Sequence, residues 1–362
     1  MKIIDWYILK RFLVTFFFTL LILIPIAIAI DVAEKIDNFL ENPGLGFYQI
    51  VDEYYKNFII YYTNTFMPLA LFIAVIFFTS KLSNNTEIIA ITNAKVSFTR
   101  FLYPYFVGAT LVTILSQGMN HFVVPSSSKI RKAFELEYIK KHRKNEIRFV
   151  TDFSLQLTDS TYIYIRNYNT DANSGYDFTS EIYDGLKLKT KLTADQIRYN
   201  IKDSMFVLIN WRKRVITSKN DKIASGSKID TVLNFTPKDL IYRSALAQEM
   251  PSDELYSFIE LSRKRGVKNL NNYLVEFHKR TSLPLSSYIL TIIAVALAFR
   301  KRRGGTGINL AIGIGLMFIY VFLLKISEVL GAVAGVNSLV YVWVPNMLFA
   351  CVAIYLYLNA RK

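Results

Sequence analysis

The sequence is poor in the residues from which most catalytic and metal sites are built. Its 362 residues include a single cysteine, Cys351, inside an apolar run, and three widely spaced histidines, His121, His142 and His278. One cysteine excludes a disulfide framework and a thiolate metal site, and the histidines show no ligand spacing. No Ser-His-Asp set or carboxylate pair stands out. We therefore predict no metal, no cofactor and no enzymatic activity in this chain.

Glycine clusters only at residues 304–307, in the order Gly-Gly-Thr-Gly. The cluster lacks the Lys-Ser/Thr of a phosphate-binding loop and follows no predicted strand, which argues against a nucleotide site. Because it comes directly after the basic run 300–303, it predicts a tight turn.

Charge is nearly absent from long stretches of the chain. Hydrophobic residues make up 52% of the sequence and charged residues 20%. Six runs reach the roughly 20 residues that a helix needs to cross the hydrocarbon of a bilayer. They are residues 12–30, 57–80, 101–124, 281–299, 304–324 and 329–360, the last narrowed to 340–359 by two glycines and an asparagine. The first run is longer than the apolar part of a signal peptide, about 7–15 residues, so we expect it to remain as a span.

The basic residues of the short connecting segments predict the orientation. The two terminal segments and the loops after spans two and four hold twelve Lys and Arg, whereas the opposite short loops hold only Lys35 and Lys56. Since basic loops stay inside, both termini and those two loops are predicted to be cytoplasmic. The long block between spans three and four is then outside.

That block, residues 125–265, is predicted to be β-rich and to separate spans one to three (1–124) from spans four to six (266–362). Strands are expected at 161–166, 186–190 and 204–210, with turns at 173–175, 184–185 and 225–226. This spacing favours a sandwich, jelly roll or open barrel. Helices are expected on its flanks, over 126–144 and from Ser252 to about Arg265.

The block is also basic. Residues 125–280 contain 28 Lys and Arg against 19 Asp and Glu, a net charge of about +9. Next to a bilayer, this charge favours an anionic lipid or another polyanion over nucleic acid. A solvated basic face with no ligand is the alternative.

A short helix is predicted near residues 82–96, capped by Asn84 or Asn85. Glu87 lies in its first turn, and the apolar residues Ile88, Ile89, Ala90 and Ile91 form a patch. Such a helix between spans either docks into a groove on a partner ATPase or lies on the lipid surface.

Four basic residues lie at the outer ends of predicted spans: Lys35, Lys279, Arg280 and Lys325. A charge in hydrocarbon costs roughly 2.5 kcal/mol or more, so such residues face a cavity or each other. Lys325 and Glu328, three residues apart, therefore form either a salt bridge at the interface or a polar lining. Together the four predict a ring that binds the phosphates of a lipid.

Several segments, taken in order, resemble the LptF/LptG permeases, which export lipopolysaccharide. They are Asn-Thr-Glu-Ile-Ile-Ala at 85–90, residues 235–240 and 250–255, His-Lys-Arg-Thr-Ser-Leu-Pro-Leu at 278–285, residues 300–307, and Trp-Val-Pro-Asn at 343–346. The resemblance covers essentially the whole chain. The sequence departs from the family at Thr86, where serine is usual. Residues 31–37 resemble LptG permeases more than LptF permeases.

The resemblance implies an α-helical membrane protein of the Gram-negative inner membrane, with six transmembrane helices and an inserted periplasmic β-jelly-roll-like domain. It implies a cytoplasmic LptB-like ATPase dimer docked at Glu87, Ile88 and Ile89. It further implies a paralogous permease partner, LptC/LptA-like bridge proteins, and lipopolysaccharide extracted from the outer leaflet. The alternatives are a membrane-anchored periplasmic scaffold and a mechanotransmitting permease that moves no lipid.

Overall fold

The structure is a computed structural model that describes residues 2–139, 149–170, 172–201, 203–217, 220–233, 235, 237, 244–264, 270–299 and 305–361. The chain divides into two units, each with its own hydrophobic core. The helical unit comprises residues 1–134, 247–255 and 271–362, and the β unit comprises 135–246 and 256–270.

Among the described residues, six helices are long and apolar enough to cross a membrane. They are α1 (Ile3–Leu40), α2 (Phe47–Asn84), α4 (Phe98–Ile139), α6 (Asn271–Phe299), α7 (Gly305–Gly331) and α8 (Ser338–Arg361). Two shorter helices are α3 (Glu87–Asn93) and α5 (Ser252–Lys264). Each predicted span, with the last taken as 340–359, falls on one of the six long helices. The predicted six-span architecture is therefore confirmed.

The long helices extend beyond their apolar runs. Residues Ile50–Tyr55 of α2 and Met119–Val123 of α4 form π-helical turns, which keep the helix continuous through polar sequence. Three prolines, Pro25, Pro68 and Pro104, lie inside α1, α2 and α4, as the sequence predicts for helices in a bilayer.

Helix α6 begins ten residues before the predicted span, because its first turns contain paired charges. Glu276 lies three and four residues before Lys279 and Arg280, the spacing at which opposite charges meet on a helix. The charged residues that precede the apolar run therefore lie within the helix.

The core of the helical unit includes a close approach of α1 to α4. The ring of Phe12 is fully buried and stacks on Tyr105, with ring centroids 5.2 Å apart. A Cβ atom at Gly108 would lie 2.0 Å from Cζ of Phe12. Only glycine fits at this position, because the aromatic ring occupies the space of a side chain.

The β unit contains one antiparallel sheet whose six strands follow each other in sequence order. The strands are β1 (Phe149–Thr158), β2 (Thr161–Asn169), β3 (Ser174–Asp184), β4 (Lys187–Asn200), β5 (Met205–Val215) and β6 (Lys222–Thr231). Alternation decides which residues form the core: Ile163 and Ile165 are buried, whereas Tyr162 is 41% exposed.

The three predicted strands correspond to β2, β4 and β5, and the turn at Gly185, with φ of +60°, is confirmed. The predicted turn at 225–226 is wrong, because both residues lie within β6. Gly226 is needed there for packing, since a Cβ atom would lie 2.9 Å from the indole nitrogen of Trp211 on β5. The predicted turn at 173–175 is displaced, because β3 already begins at Ser174.

The flanking helices are confirmed where the structure describes them. The continuation of span three runs to Ile139, and α5 runs from Ser252 to Lys264. Several sequence predictions lie outside the described residues: the ends of these helices at 140–144 and 265, His142, the segment 235–240 except Phe235 and Pro237, and the turn at 300–304.

Candidate functional site

The short helix α3 is present, but its start differs from the prediction. Neither Asn84 nor Asn85 caps it; the residue before its first turn is Thr86, with a left-handed φ of +63°. Asn84 is instead the last residue of α2, and its side-chain amide donates to the hydroxyl of Thr306 at 2.9 Å. The left-handed Thr86 thus lets the chain leave α2 and start α3 directly.

The apolar residues of α3 do not form one continuous exposed patch. Ile88 is 3% exposed and belongs to the core of the helical unit, where Ile91 is partly buried. Ile89 is 47% exposed. Ile88 therefore anchors the helix, while Ile89 and Ala90 point outward.

Both carboxylate oxygens of Glu87 are held by neighbouring side chains. Oε2 accepts a hydrogen bond from the hydroxyl of Tyr7 at 3.0 Å, and Oε1 accepts one from the amide of Asn85 at 3.2 Å. A cavity of about 150 Å³ beside Glu87 is also lined by Arg11 and Lys81. A charged residue at the start of α3 is thus fixed in position next to two cations.

The first turn of α1 is also linked to α4. The guanidinium of Arg100 lies 2.6 Å from the carboxylate of Asp5, which is buried. The backbone N–H of Lys2 donates to the same carboxylate at 2.6 Å. The first turn of α1 is therefore held by a charged pair as well as by Tyr7.

Two of the four predicted phosphate contacts meet at one carboxylate. The ammonium of Lys279 lies 3.2 Å from Glu328, and that of Lys325 lies 2.9 Å from the other oxygen of Glu328. Lys279 also pairs with Glu276 at 3.4 Å. The side chain of Lys325 is 68% exposed and that of Lys279 is 18% exposed. Lys325 is therefore the accessible cation of this cluster.

Arg280 points into the helical unit. Its guanidinium donates to the carbonyl oxygens of Ala247 and Met250 and to the hydroxyl of Ser252, each at 2.8 Å. Only 3% of the residue is exposed. The sequence places Arg280 at the same level as Lys279, but the structure uses it to hold residues 247–252 against α6.

Lys35 is in a separate cluster. Its ammonium is hydrogen-bonded to Asp31 on the same helix and to the hydroxyl of Tyr54 on α2. The hydroxyl of Tyr55 donates to Asp31 at 3.4 Å. Within the described residues, the carboxylate that pairs with Lys35 is Asp31, whereas Lys279, Arg280 and Lys325 pair with Glu276 or Glu328.

Of the two readings that the sequence left open for Lys325 and Glu328, the structure contains the salt bridge, but sequence reasoning missed the partners of Lys35, Lys279, Arg280 and Glu87. The signal for Glu276 was available in its spacing to Lys279 and Arg280, and that for Asp31 in its spacing of four residues to Lys35. The pairing of Tyr7 with Glu87 joins residues 80 positions apart, and no local pattern indicates it.

Six helices that can cross a membrane, interrupted by an antiparallel sheet, define a multi-pass membrane protein with one extramembrane domain. The model of the family described as lipopolysaccharide export system permease LptF/LptG matches residues 6–359. The chain belongs to the LptF/LptG family and is a transporter component of the inner membrane, as its resemblance predicts. Comparison with curated proteins gives no match.

Proposed function

We propose that the chain is a permease subunit of an ABC-type exporter that extracts lipopolysaccharide from the outer leaflet of the inner membrane. The observation that carries this proposal is the family match over residues 6–359. A second permease of the same family would complete the transmembrane part, and a separate ATPase dimer would supply ATP hydrolysis.

In the proposed topology both termini and the α3 segment are cytoplasmic, and the β unit is periplasmic. The distribution of basic residues in the short loops supports this orientation. The β unit would then pass lipopolysaccharide to LptC/LptA-like bridge proteins in the periplasm.

The ATPase contact is proposed at α3. Hydrogen bonds from Tyr7 and Asn85 already hold the carboxylate of Glu87 in place. The side chain would therefore lose little conformational entropy when a basic group of the ATPase binds. Ile89 offers exposed apolar surface beside it, and Ile88 fixes the helix to the membrane core. Force applied to α3 would thereby reach α1, α2 and the core.

The lipid phosphates are proposed to bind Lys325 and Lys279, with Lys35 as a further contact. Glu328 pairs with both lysines, and a phosphate would replace it at Lys325, the more exposed of the two. Arg280 is proposed to act indirectly, because its hydrogen bonds to the backbone of residues 247 and 250 orient α6, on which Lys279 lies.

Purification of the chain from its native membrane, followed by protein and lipid analysis, tests the proposal. We expect an ATPase, a second permease and bound lipopolysaccharide. An ATPase without lipopolysaccharide would favour a mechanotransmitting permease. Absence of both would favour a membrane-anchored scaffold, and either result would overturn the export proposal.

A further inference from the structure

The β unit carries a hollow of about 560 Å³ that the proposed function does not use. Residues of β1, β2, β3 and β4 line it, together with Asp159 in the turn between β1 and β2. The lining residues used below are Tyr162, Tyr164, Thr179, Glu181, Tyr183 and Lys191. Its volume lies within the range of small-molecule sites, about 300–1,000 Å³. Ile163 borders the hollow, but the lining residues Tyr162 and Tyr164 alternate with it along β2 and therefore lie on the face opposite to the buried core.

Aromatic rings form one wall of the hollow. The ring of Tyr162 meets that of Tyr183 edge-on, with centroids 5.6 Å apart and an angle of 90° between the planes. The hydroxyl of Tyr164 donates to Asp152 at 2.7 Å, which fixes a third ring on the adjacent pair of strands. Tyrosines held in this way present a rigid apolar surface at little cost in conformational entropy.

A charged pair next to these rings supplies hydrogen-bonding groups. The ammonium of Lys191 and the hydroxyl of Tyr183 each donate to a different oxygen of Glu181, both at 2.9 Å. The Lys191 ammonium is the main cause of a lowered pKa for Glu181, so the carboxylate is ionised at neutral pH. Glu181 retains lone pairs and Lys191 retains N–H groups that can bond to ligand hydroxyls.

An aromatic wall beside ionised donors and acceptors fits a ligand with apolar C–H faces and many hydroxyl groups. We propose that this hollow binds a saccharide, and specifically the sugar portion of the exported lipopolysaccharide. The choice of that saccharide rests on the proposed function.

The test measures binding of a lipid-free oligosaccharide, released from lipopolysaccharide by mild acid, to the full-length chain in lipid nanodiscs. We expect Tyr162→Ala to weaken binding about tenfold and Tyr183→Phe about threefold, as one ring and one hydroxyl are lost. The control is Tyr176→Ala, which removes a 55% exposed tyrosine of β3 outside the hollow and should leave binding unchanged.

Hydrogen exchange of the strand amides verifies that each variant retains its sheet. Unchanged oligosaccharide binding by Tyr162→Ala with an intact sheet would overturn the inference. So would a chain that binds intact lipopolysaccharide but no oligosaccharide, although the export proposal would then stand. Binding of oligosaccharide that depends on Tyr162, in a chain that never acquires or moves lipopolysaccharide, would support the hollow and overturn the export proposal.

Discussion

The hydroxyl of Tyr7 donates a hydrogen bond to the carboxylate of Glu87, and it thereby joins the start of α1 to the first residue of α3. The two residues lie 80 positions apart, so the contact depends on the tertiary fold. It gives the first span a direct connection to the helix on which we propose that the ATPase docks.

Removal of this hydroxyl tests the connection. We expect Tyr7→Phe to leave the chain folded and to weaken coupling of ATP hydrolysis to export about fivefold. A hydrogen bond to a partly exposed carboxylate contributes about 1 kcal/mol. The matched control is Tyr103→Phe on α4, whose ring contacts Arg100. Equal export by the two variants would mean that the Tyr7 contact has no part in coupling.

The surface of α3 is tested by Glu87→Ala and Ile89→Asp. Each should weaken ATPase binding by up to about 2 kcal/mol, comparable to one interface hot spot, without lowering the thermal stability of the membrane part. Ile88→Ala should instead lower the thermal stability and leave the contact surface for the ATPase intact. The substitution leaves a cavity in the core that costs about 2–5 kcal/mol. Full ATPase binding and export by both surface variants would identify α3 as a segment that lies on lipid.

Reporter fusions test the orientation. Fusions after residues 95 and 303 should report a cytoplasmic location, and fusions near 175 and 221 a periplasmic one. A cytoplasmic signal at 175 would contradict both the charge argument and the proposed route of the lipid through the β unit.

The phosphate contacts are tested by neutral substitutions and photocrosslinking. Lys325→Gln should weaken export modestly, and the double variant with Lys279→Gln should weaken it more, because a multivalent phosphate tolerates the loss of one partner. Lys56→Gln is the control, since Lys56 is exposed, pairs with Asp52 and lies at the same predicted level of the membrane. Crosslinks from 279 and 325 to phospholipid alone would limit these lysines to anchoring their helices.

Glu181 predicts a pH dependence of the β unit. Its pKa in the folded chain is lower than the ordinary value of 4.5, chiefly because Lys191 donates to it. Its contribution to stability is therefore present above about pH 4.5 and is lost as the pH falls through the folded pKa. The protection of β3 and β4 amides, which is the exchange rate corrected for the slower intrinsic exchange in acid, should fall with acid in the native chain and less in Glu181→Gln. Identical acid profiles for the two chains would contradict this assignment.

Much of the fold was predictable because it depends on local pattern. Apolar runs identify the spans, and alternation around Ile163 and Ile165 identifies β2. The strand β6 was missed because its residues are almost all exposed and include a Ser-Gly pair typical of turns. Local composition favoured a turn there, but pairing with β5 determined a strand.

Apart from the pair of Lys325 with Glu328, the candidate site was predictable only in its residue types. Sequence position placed Arg280 and Lys279 together, and both pair with Glu276. Only Lys279 also reaches Glu328, whereas the guanidinium of Arg280 donates to backbone carbonyl oxygens of residues 247 and 250. The opposite orientations of Ile88 and Ile89 follow from how α3 packs on the core. Such directions depend on contacts between distant segments, which residue spacing does not encode.

The ring of Phe12 that fills the place of a side chain at Gly108 has a mechanical consequence. A ring inserted so deeply cannot slide or rotate past Gly108 unless the two helices first separate. Helices α1 and α4 therefore have to move together at that depth. The salt bridge between Asp5 and Arg100 joins the same two helices near their N-terminal ends. Under the export function that we propose, lipid would therefore have to enter the helical unit along a border of α1 other than the one it shares with α4.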